Sequence, residues 1–266
     1  MGIHNFLATF FPIETFRNDD LSELKGLRVG IDAHVILHRA LGSPAAARQF
    51  HTLPSVPMTH VRTYFTKFLQ KLIKKGCTPV VVTDGSNHPM KHAKHQRDRE
   101  RQAAKEKLQT LLGERRPQAV NDVLGKMKKT TYVRSDIIAV VKEVCAELKV
   151  EIYGAPFEAD WQLVSMERQG LIDCLMTVDS DFIALGAQRV CFRFLMGDDK
   201  CFMYNSEAHL DSVKTHLGTH SHEALLDLAC TMGNDYIPHP FGTGVKLALE
   251  TARALVPGPV VDRVAG

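Results

Sequence analysis

The chain lacks most of the features that would place it at a glance. Its six cysteines, at 77, 145, 174, 191, 201 and 230, include no C-x-x-C pair, which leaves no zinc or disulfide framework in the spacing. Most of them sit in apolar segments, the pattern of reduced core residues in an intracellular protein. The net charge is only +3, too small to name a partner by itself. The opening "MGIHNFLATFFPIE" has no basic stretch, and Pro12 and Glu14 interrupt its apolar run, so it does not read as a signal peptide. Gly2 follows the initiator, but Phe6 stands where a myristoylation signal wants Ser or Thr. No apolar run reaches membrane-spanning length. Thirteen histidines include pairs at helical spacing, His34/His38 and His92/His95, yet the sequence closes no ligand set around them. What remains is a soluble protein, expected in the nucleus, with the cytoplasm or an organelle as alternatives, and without a membrane partner.

What is present is ordinary in bulk and unusual in arrangement. With 266 residues, 44% hydrophobic and 24% charged, the chain can bury a substantial core. Four short apolar runs read as strands: "LRVGID", "CTPVVVTD", "KVEIYG" and "CLMTVDSD". Between them, Met58, Val61, Phe65, Phe68 and Leu72 share one helical face, as do Ile137, Ile138, Val141, Val144, Cys145 and Leu148. Apolar strands alternating with helices predict an α/β fold, a mostly parallel sheet flanked by helices on both faces.

Each run has acid at or just beyond its end: Asp32, Asp84, Glu158 with Asp160, and Asp179 with Asp181. One Asp behind a strand is usually a helix cap or turn former. Four strands doing so together are harder to assign to capping, because in an open α/β sheet the active crevice lies beyond the carboxyl ends of the strands. Asp179 and Asp181 read as strand-end neighbours that point the same way and repel, with no capping explanation. If Pro156 begins a helix, Glu158 and Asp160 diverge around it and serve different ions, or one acts through a water. An oxygen-only cluster with no organised His or Cys favours a hard ion, Mg²⁺ with Mn²⁺ as a substitute. Two such ions suit in-line displacement at phosphorus, one activating the attacking water and the other stabilising the leaving oxygen. That chemistry is phosphodiester or phosphate-ester hydrolysis.

Two further segments favour a polyanionic substrate. Residues 91–107, "KHAKHQRDRERQAAKEK", carry seven Lys or Arg against three acids. Lys91, Lys94, Arg97, Arg101 and Lys105 form one helical stripe that begins just beyond Asp84. A solvated surface helix is the plain reading, but beside a metal cluster the stripe fits a guide for a nucleic acid backbone. The weakly patterned stretch to about 132 makes 91–132 an insertion or lid. Near the end, "MGNDYIPHPFGTGVKLALETARAL" places Asp235 after one amphipathic helix and Gly242 and Gly244 before another. Glycines at a helix start leave backbone N–H groups able to meet a phosphate; an interhelix turn is the alternative.

The ordered segments "MGI", "GIDAHVILHRA", "VVVTDG", "GAPFEADWQL", "TVDSDFIALG" and "GNDYIP…GTG" resemble the flap endonuclease/XPG family of structure-specific 5′ nucleases, most of all its exonuclease-one subgroup. The resemblance runs over nearly the whole chain. It implies a PIN-like core and a Mg²⁺-dependent, two-metal 5′–3′ exonuclease or flap endonuclease acting on DNA 5′ ends, flaps, nicks, gaps or junctions in repair or replication. By motif, Asp32, Asp84, Glu158, Asp160, Asp179, Asp181 and Asp235 match the family's metal acids. Lys91 matches the arch lysine that contacts the scissile phosphate, and His38 the position that meets the terminal base. The resemblance also implies DNA contacts from Gly2, Lys94 and Arg101, and from a helix-two-turn-helix with Gly242, Gly244 and Lys246, where K⁺ binds. It divides the chain into a nuclease core over 1–220, with an arch at about 91–132, and a DNA-binding segment over 221–266. The expected species is a monomer.

Some positions depart from the family pattern. The second arch cation, usually Arg, aligns with Asp98; Arg97, on the Lys91 face, is the replacement expected here. "IPHPF" lacks the usual basic residue before the glycines. Family members usually continue beyond a point such as Gly266, so the chain is expected to be either a truncated piece or a divergent short member, without the tail that protein partners bind. Three other readings stay open: a non-catalytic nucleic-acid-binding module of the same fold, a 5′–3′ exoribonuclease, and a metal-dependent phosphatase of small substrates suggested by the D-x-D at 179. The phosphatase is disfavoured because it leaves the basic stripe without a role.

Overall fold

The computed structural model describes residues 17–42, 58–86, 99–100, 102–104, 106–107, 110, 133–192, 199–218, 222–234, 236–237 and 244–255. They fall into two compact units, Leu21–Asp173 and a second unit that joins the N-terminal residues through Asp20 to Cys174 onward.

In the first unit, the expected β–α alternation is found. Strands β2 (Arg28–Asp32), β3 (Thr78–Thr83) and β4 (Glu151–Gly154) pair in parallel, with Asp32 opposite Val82 and Thr83 opposite Gly154. A 3-10 turn at Leu21–Leu24 precedes β2. Helices α1 (Ala33–Leu41), α2 (Met58–Lys74) and α3 (Ser135–Leu148) connect the strands, and α4 (Ala159–Arg168) follows β4. The apolar stripe of α2 packs as its spacing predicts: Val61, Phe65, Phe68 and Leu72 are all fully buried. Phe65 and Phe68 lie 6.3 Å apart, ring centre to ring centre, and removing either would cost about 3–5 kcal/mol. In α3 the buried face is Ile137, Val140, Val141, Val144 and Cys145; Ile138 and Leu148, expected on that face, are only half-buried. Burial pushes the Cys145 thiol up to about 12. Gly30 in β2 lets α4 come close, since a Cβ there would lie 2.8 Å from Leu163 Cδ2 and 2.4 Å from Ile172 Cδ1.

One expectation about this sheet is corrected. The run in β4 is not a covered apolar strand: Glu151, Tyr153 and Gly154 are exposed. Its place is fixed by pairing with β3 and by Arg28, whose guanidinium meets the Glu151 carboxylate at 3.0 Å.

In the second unit, β5 (Cys174–Thr177) and β6 (Arg189–Phe192) are parallel, whereas β6 pairs with β7 (Lys200–Asn205) and β7 with β1 (Arg17–Asp20) in antiparallel fashion. The short helix α5 (Asp181–Ala184) follows β5. Helices α6 (Leu210–Leu217), α7 (His222–Met232) and α8 (Val245–Leu255) pack on one another. Leu225, Leu228 and Ala229 lie on the buried face of α7, the amphipathic helix expected before Asp235. All six cysteines are free; Cys230 on α7 is exposed and the other five are buried.

Candidate metal centre

The site is built where β2 and β3 end. Asp32 is the last residue of β2 and the N-cap of α1: its backbone is extended (φ −71°, ψ 110°) and its Oδ1 accepts the His34 N–H at 2.8 Å. A carboxylate there satisfies one of the donors a helix start leaves unpaired and meets the positive end of the helix dipole. Asp32 is 6% exposed, so its charge is kept largely out of water.

Asp84 is brought to the same place by a different route. Its Oδ1 accepts the N–H of Ala159, the first residue of α4, at 2.8 Å. Glu158 holds the N-cap position of α4, with extended backbone (φ −97°, ψ 144°) and no side-chain cap bond of its own. Asp84, 75 residues earlier in the chain, therefore caps α4. The segment carrying it is laced to the turn before α4. Ala155 N–H donates to Thr83 O at 2.9 Å, Gly85 N–H to Phe157 O at 2.6 Å and Ser86 N–H to Pro156 O at 3.0 Å. The approach requires glycine: a Cβ on Gly85 would lie 1.9 Å from Ala155 O and 2.7 Å from Pro156 O, both rigid backbone atoms.

His34 joins these two acids. Asp84 N–H donates to His34 Nδ1 at 3.3 Å, and the same nitrogen lies 3.6 Å from Asp84 Oδ2. One donor atom from each of Asp32, His34 and Asp84 falls within 4.8 Å of the others. Two carboxylates and an imidazole at this spacing suit a divalent ion. Strand-end position singles out both acids in the sequence but not His34. The signal was there, in a histidine two residues after a strand-end Asp, but Asp84, which completes the set, is 50 residues away.

The geometry revises three details. Helix α4 starts at Ala159, so Pro156 lies outside it. Glu158 is thus not helical, Asp160 sits in the first turn, and the divergence expected from two helical positions does not apply; both are half-buried. In the second unit β5 stops at Thr177, so Asp179 and Asp181 are not on an extended strand. Asp179 N–H donates to Thr177 Oγ1 at 3.1 Å, and Asp179 Oδ1 accepts the N–H of Asp181, first residue of α5, at 3.3 Å. Asp179 therefore has a capping role after all. Capping and metal binding are not rival explanations for these acids: Asp32, Asp84 and Asp179 all accept from the backbone of a helix start.

Of the other expected residues, His38 is half-buried in the last turn of α1, Gly244 is exposed directly before α8, and Lys246 is exposed in its first turn. The described residues among 99–110 are helical. Gly2, Lys91, Lys94, Arg97, Arg101, Asp235 and Gly242 lie outside the described residues.

The XPG N-terminal domain family matches residues 1–105, and the XPG I-region family matches residues 149–235. Exodeoxyribonuclease 1 of Schizosaccharomyces pombe is 30% identical over 254 residues, which are 94% of this chain and 42% of that protein. Flap endonuclease 1 of Xenopus tropicalis is 26% identical over 259 residues, 95% of this chain and 66% of that protein. Among solved structures, the catalytic core of Rad2 in complex with DNA substrate superposes with a TM-score of 0.68 at 25% identity, over 94% of this chain and 67% of that one. Human GEN1 in complex with Holliday junction DNA gives a TM-score of 0.65 at 19% identity, over 98% of this chain and 57% of that one, a likeness of fold. The chain spans less than half of the fission yeast relative and about two thirds of the frog one. With the N-terminal and I-region domains of one family matched in order over residues 1–105 and 149–235, this chain belongs to the XPG/flap endonuclease family.

Proposed function

We propose that this chain is a Mg²⁺-dependent, structure-specific 5′ nuclease that hydrolyses DNA phosphodiester bonds at or near 5′ ends, flaps or junctions, in repair or replication. The observation that carries the reading is the convergence of Asp32 and Asp84, from adjacent parallel strands, on one point with His34. Each acid caps a helix start, and where the two meet a divalent ion offsets their repulsion. When bound, such ions supply charge neutralisation, activation of water and stabilisation of the leaving oxygen.

The chain's own residues divide the remaining work. Asp32 and Asp84 hold metal and are fixed in direction by the helix starts they cap. Glu158, Asp160, Asp179, Asp181 and Asp235 complete the acid set in this reading, which admits two Mg²⁺ ions. Lys91 and Arg97 take the scissile phosphate, His38 meets the terminal base, and Gly2, Lys94 and Arg101 contact the DNA backbone. Gly242, Gly244 and Lys246 grip the uncleaved duplex with K⁺; the exposed, uncrowded Gly244 before α8 supports that role. Residues 1–220 serve as nuclease core and 221–266 as the duplex-binding segment of a monomeric, nuclear enzyme.

The test is cleavage of 5′-flap, nicked and blunt duplexes, labelled at both ends, in Mg²⁺ and in EDTA. Metal-dependent products are expected, their lengths separating exonuclease from flap endonuclease action. DNA binding with no product in any metal would overturn the reading in favour of a non-catalytic module.

A further inference from the structure

We infer that His34 is itself a metal ligand, giving this site a nitrogen donor within a set otherwise made of carboxylates. The inference rests on the metal-binding reading of Asp32 and Asp84 and adds to it the identity of a third donor and its consequence for metal choice. His34 is held from both sides. Its backbone N–H is fixed by Asp32 Oδ1 at 2.8 Å, and its ring nitrogen Nδ1 faces Asp84, 3.6 Å from Oδ2. The ring is half-buried on the first turn of α1.

The simplest structural role for His34 would be to accept the Asp84 N–H, which lies 3.3 Å from Nδ1. That contact is long for a hydrogen bond, and it leaves a problem. The same nitrogen lies 3.6 Å from Asp84 Oδ2, and one donor atom each of Asp32, His34 and Asp84 lies within 4.8 Å of the others. Three electron-rich atoms then face one another. A proton on Nδ1 satisfies one pair of them; a metal ion satisfies all three. Bonds of about 2.1 Å to one ion place neighbouring donor atoms about 3.0–4.2 Å apart, which brackets the 3.6 Å separation.

A nitrogen donor changes what the site prefers. Carboxylates alone suit Mg²⁺, whereas imidazole suits later first-row ions, and affinity of a mixed N/O site climbs from Mn²⁺ upward along the series. The site should therefore bind Mn²⁺ better, relative to Mg²⁺, than an all-oxygen site would.

The experiment loads the full chain with Mn²⁺ alone, without DNA, and reads pulsed electron paramagnetic resonance together with a Mn²⁺/Mg²⁺ competition titration. The wild type should show a ¹⁴N coupling from a directly bound imidazole. His34→Ala should lose that coupling and lower Mn²⁺ affinity at least about tenfold, with a smaller loss for Mg²⁺. His34→Asn, which retains an acceptor for the Asp84 N–H, serves as the variant if the alanine form does not fold; it too should lose the nitrogen signal. Bound Mn²⁺ without nitrogen coupling, or a coupling that survives both substitutions, would overturn the ligand role and leave the metal centre standing. Absence of any Mn²⁺ binding would overturn both.

Discussion

The acids behind β2 and β3 and those behind β5 are held in place by different means. Asp84 reaches the N-terminus of α4 across 75 residues of sequence, and its position depends on a laced backbone and on Gly85. Asp179 meets near neighbours in the chain, its N–H donating to Thr177 Oγ1 and its Oδ1 accepting the N–H of Asp181, the first residue of α5. In the first group the tertiary fold brings carboxylates together; in the second the local chain does. Disturbing the fold should therefore damage the first group more, while the second should tolerate exchange of carboxylate for amide without structural loss.

The sharpest separation comes from Asp179→Asn. The amide keeps an acceptor for the Asp181 N–H and removes a charge, so DNA binding and folding should persist. Cleavage should fall at least about a thousandfold, and the melting temperature without metal should rise slightly as repulsion is relieved. A clear drop in melting temperature instead would make Asp179 a structural residue. For the first group, Gly85→Ala drives a methyl into two backbone carbonyls and should cost about 3 kcal/mol or more, measured by denaturant unfolding; a neutral result would mean that the lacing around Asp84 does not position it.

A smaller effect distinguishes capping from metal binding at a single residue. Asp32→Ala removes the cap of α1 and should cost about 1 kcal/mol, whereas Asp32→Asn, an equally good cap, should cost close to nothing in the absence of metal. Equal losses would show that the charge, not the cap, stabilises the helix start. The smallest expected effect is on the exposed rim of the sheet. The Arg28 guanidinium, helped by Tyr153, holds the Glu151 carboxyl below the usual carboxylate range. A group whose folded value is depressed stabilises above its unfolded value and loses that contribution as pH falls through the carboxylate range. Both partners are more than a third exposed, so solvent screening limits the effect of Glu151→Gln to about 0–1 kcal/mol at neutral pH, vanishing in acid melts.

Much of this was legible in the residues. The apolar stripes of α2 and α7, the parallel pairing of β2 with β3, and the strand-end positions of Asp32 and Asp84 follow from local pattern. The antiparallel edge did not. β1 reads Arg-Asn-Asp-Asp, with no apolar residue to announce a strand, and is set by its backbone pairing with β7. The start of α4 escapes the local pattern for a related reason: Pro156 is a local signal, whereas the cap comes from Asp84, just beyond β3. His34 does not stand out in the sequence, because side chains gathered from two strand ends have no fixed spacing. Local periodicity carries the elements; what closes a site is long-range.

The most direct measurement is the melting temperature of the wild type and of Asp32→Asn, each in EDTA and in Mg²⁺. Binding to the folded state at 100-fold above the dissociation constant adds about 2.7 kcal/mol, so Mg²⁺ should raise the wild-type midpoint measurably. Asp32→Asn should fold as well as the wild type in EDTA and show little or no rise with Mg²⁺. An equal rise in both proteins would mean that the ion binds elsewhere and that Asp32 and Asp84 converge for capping alone.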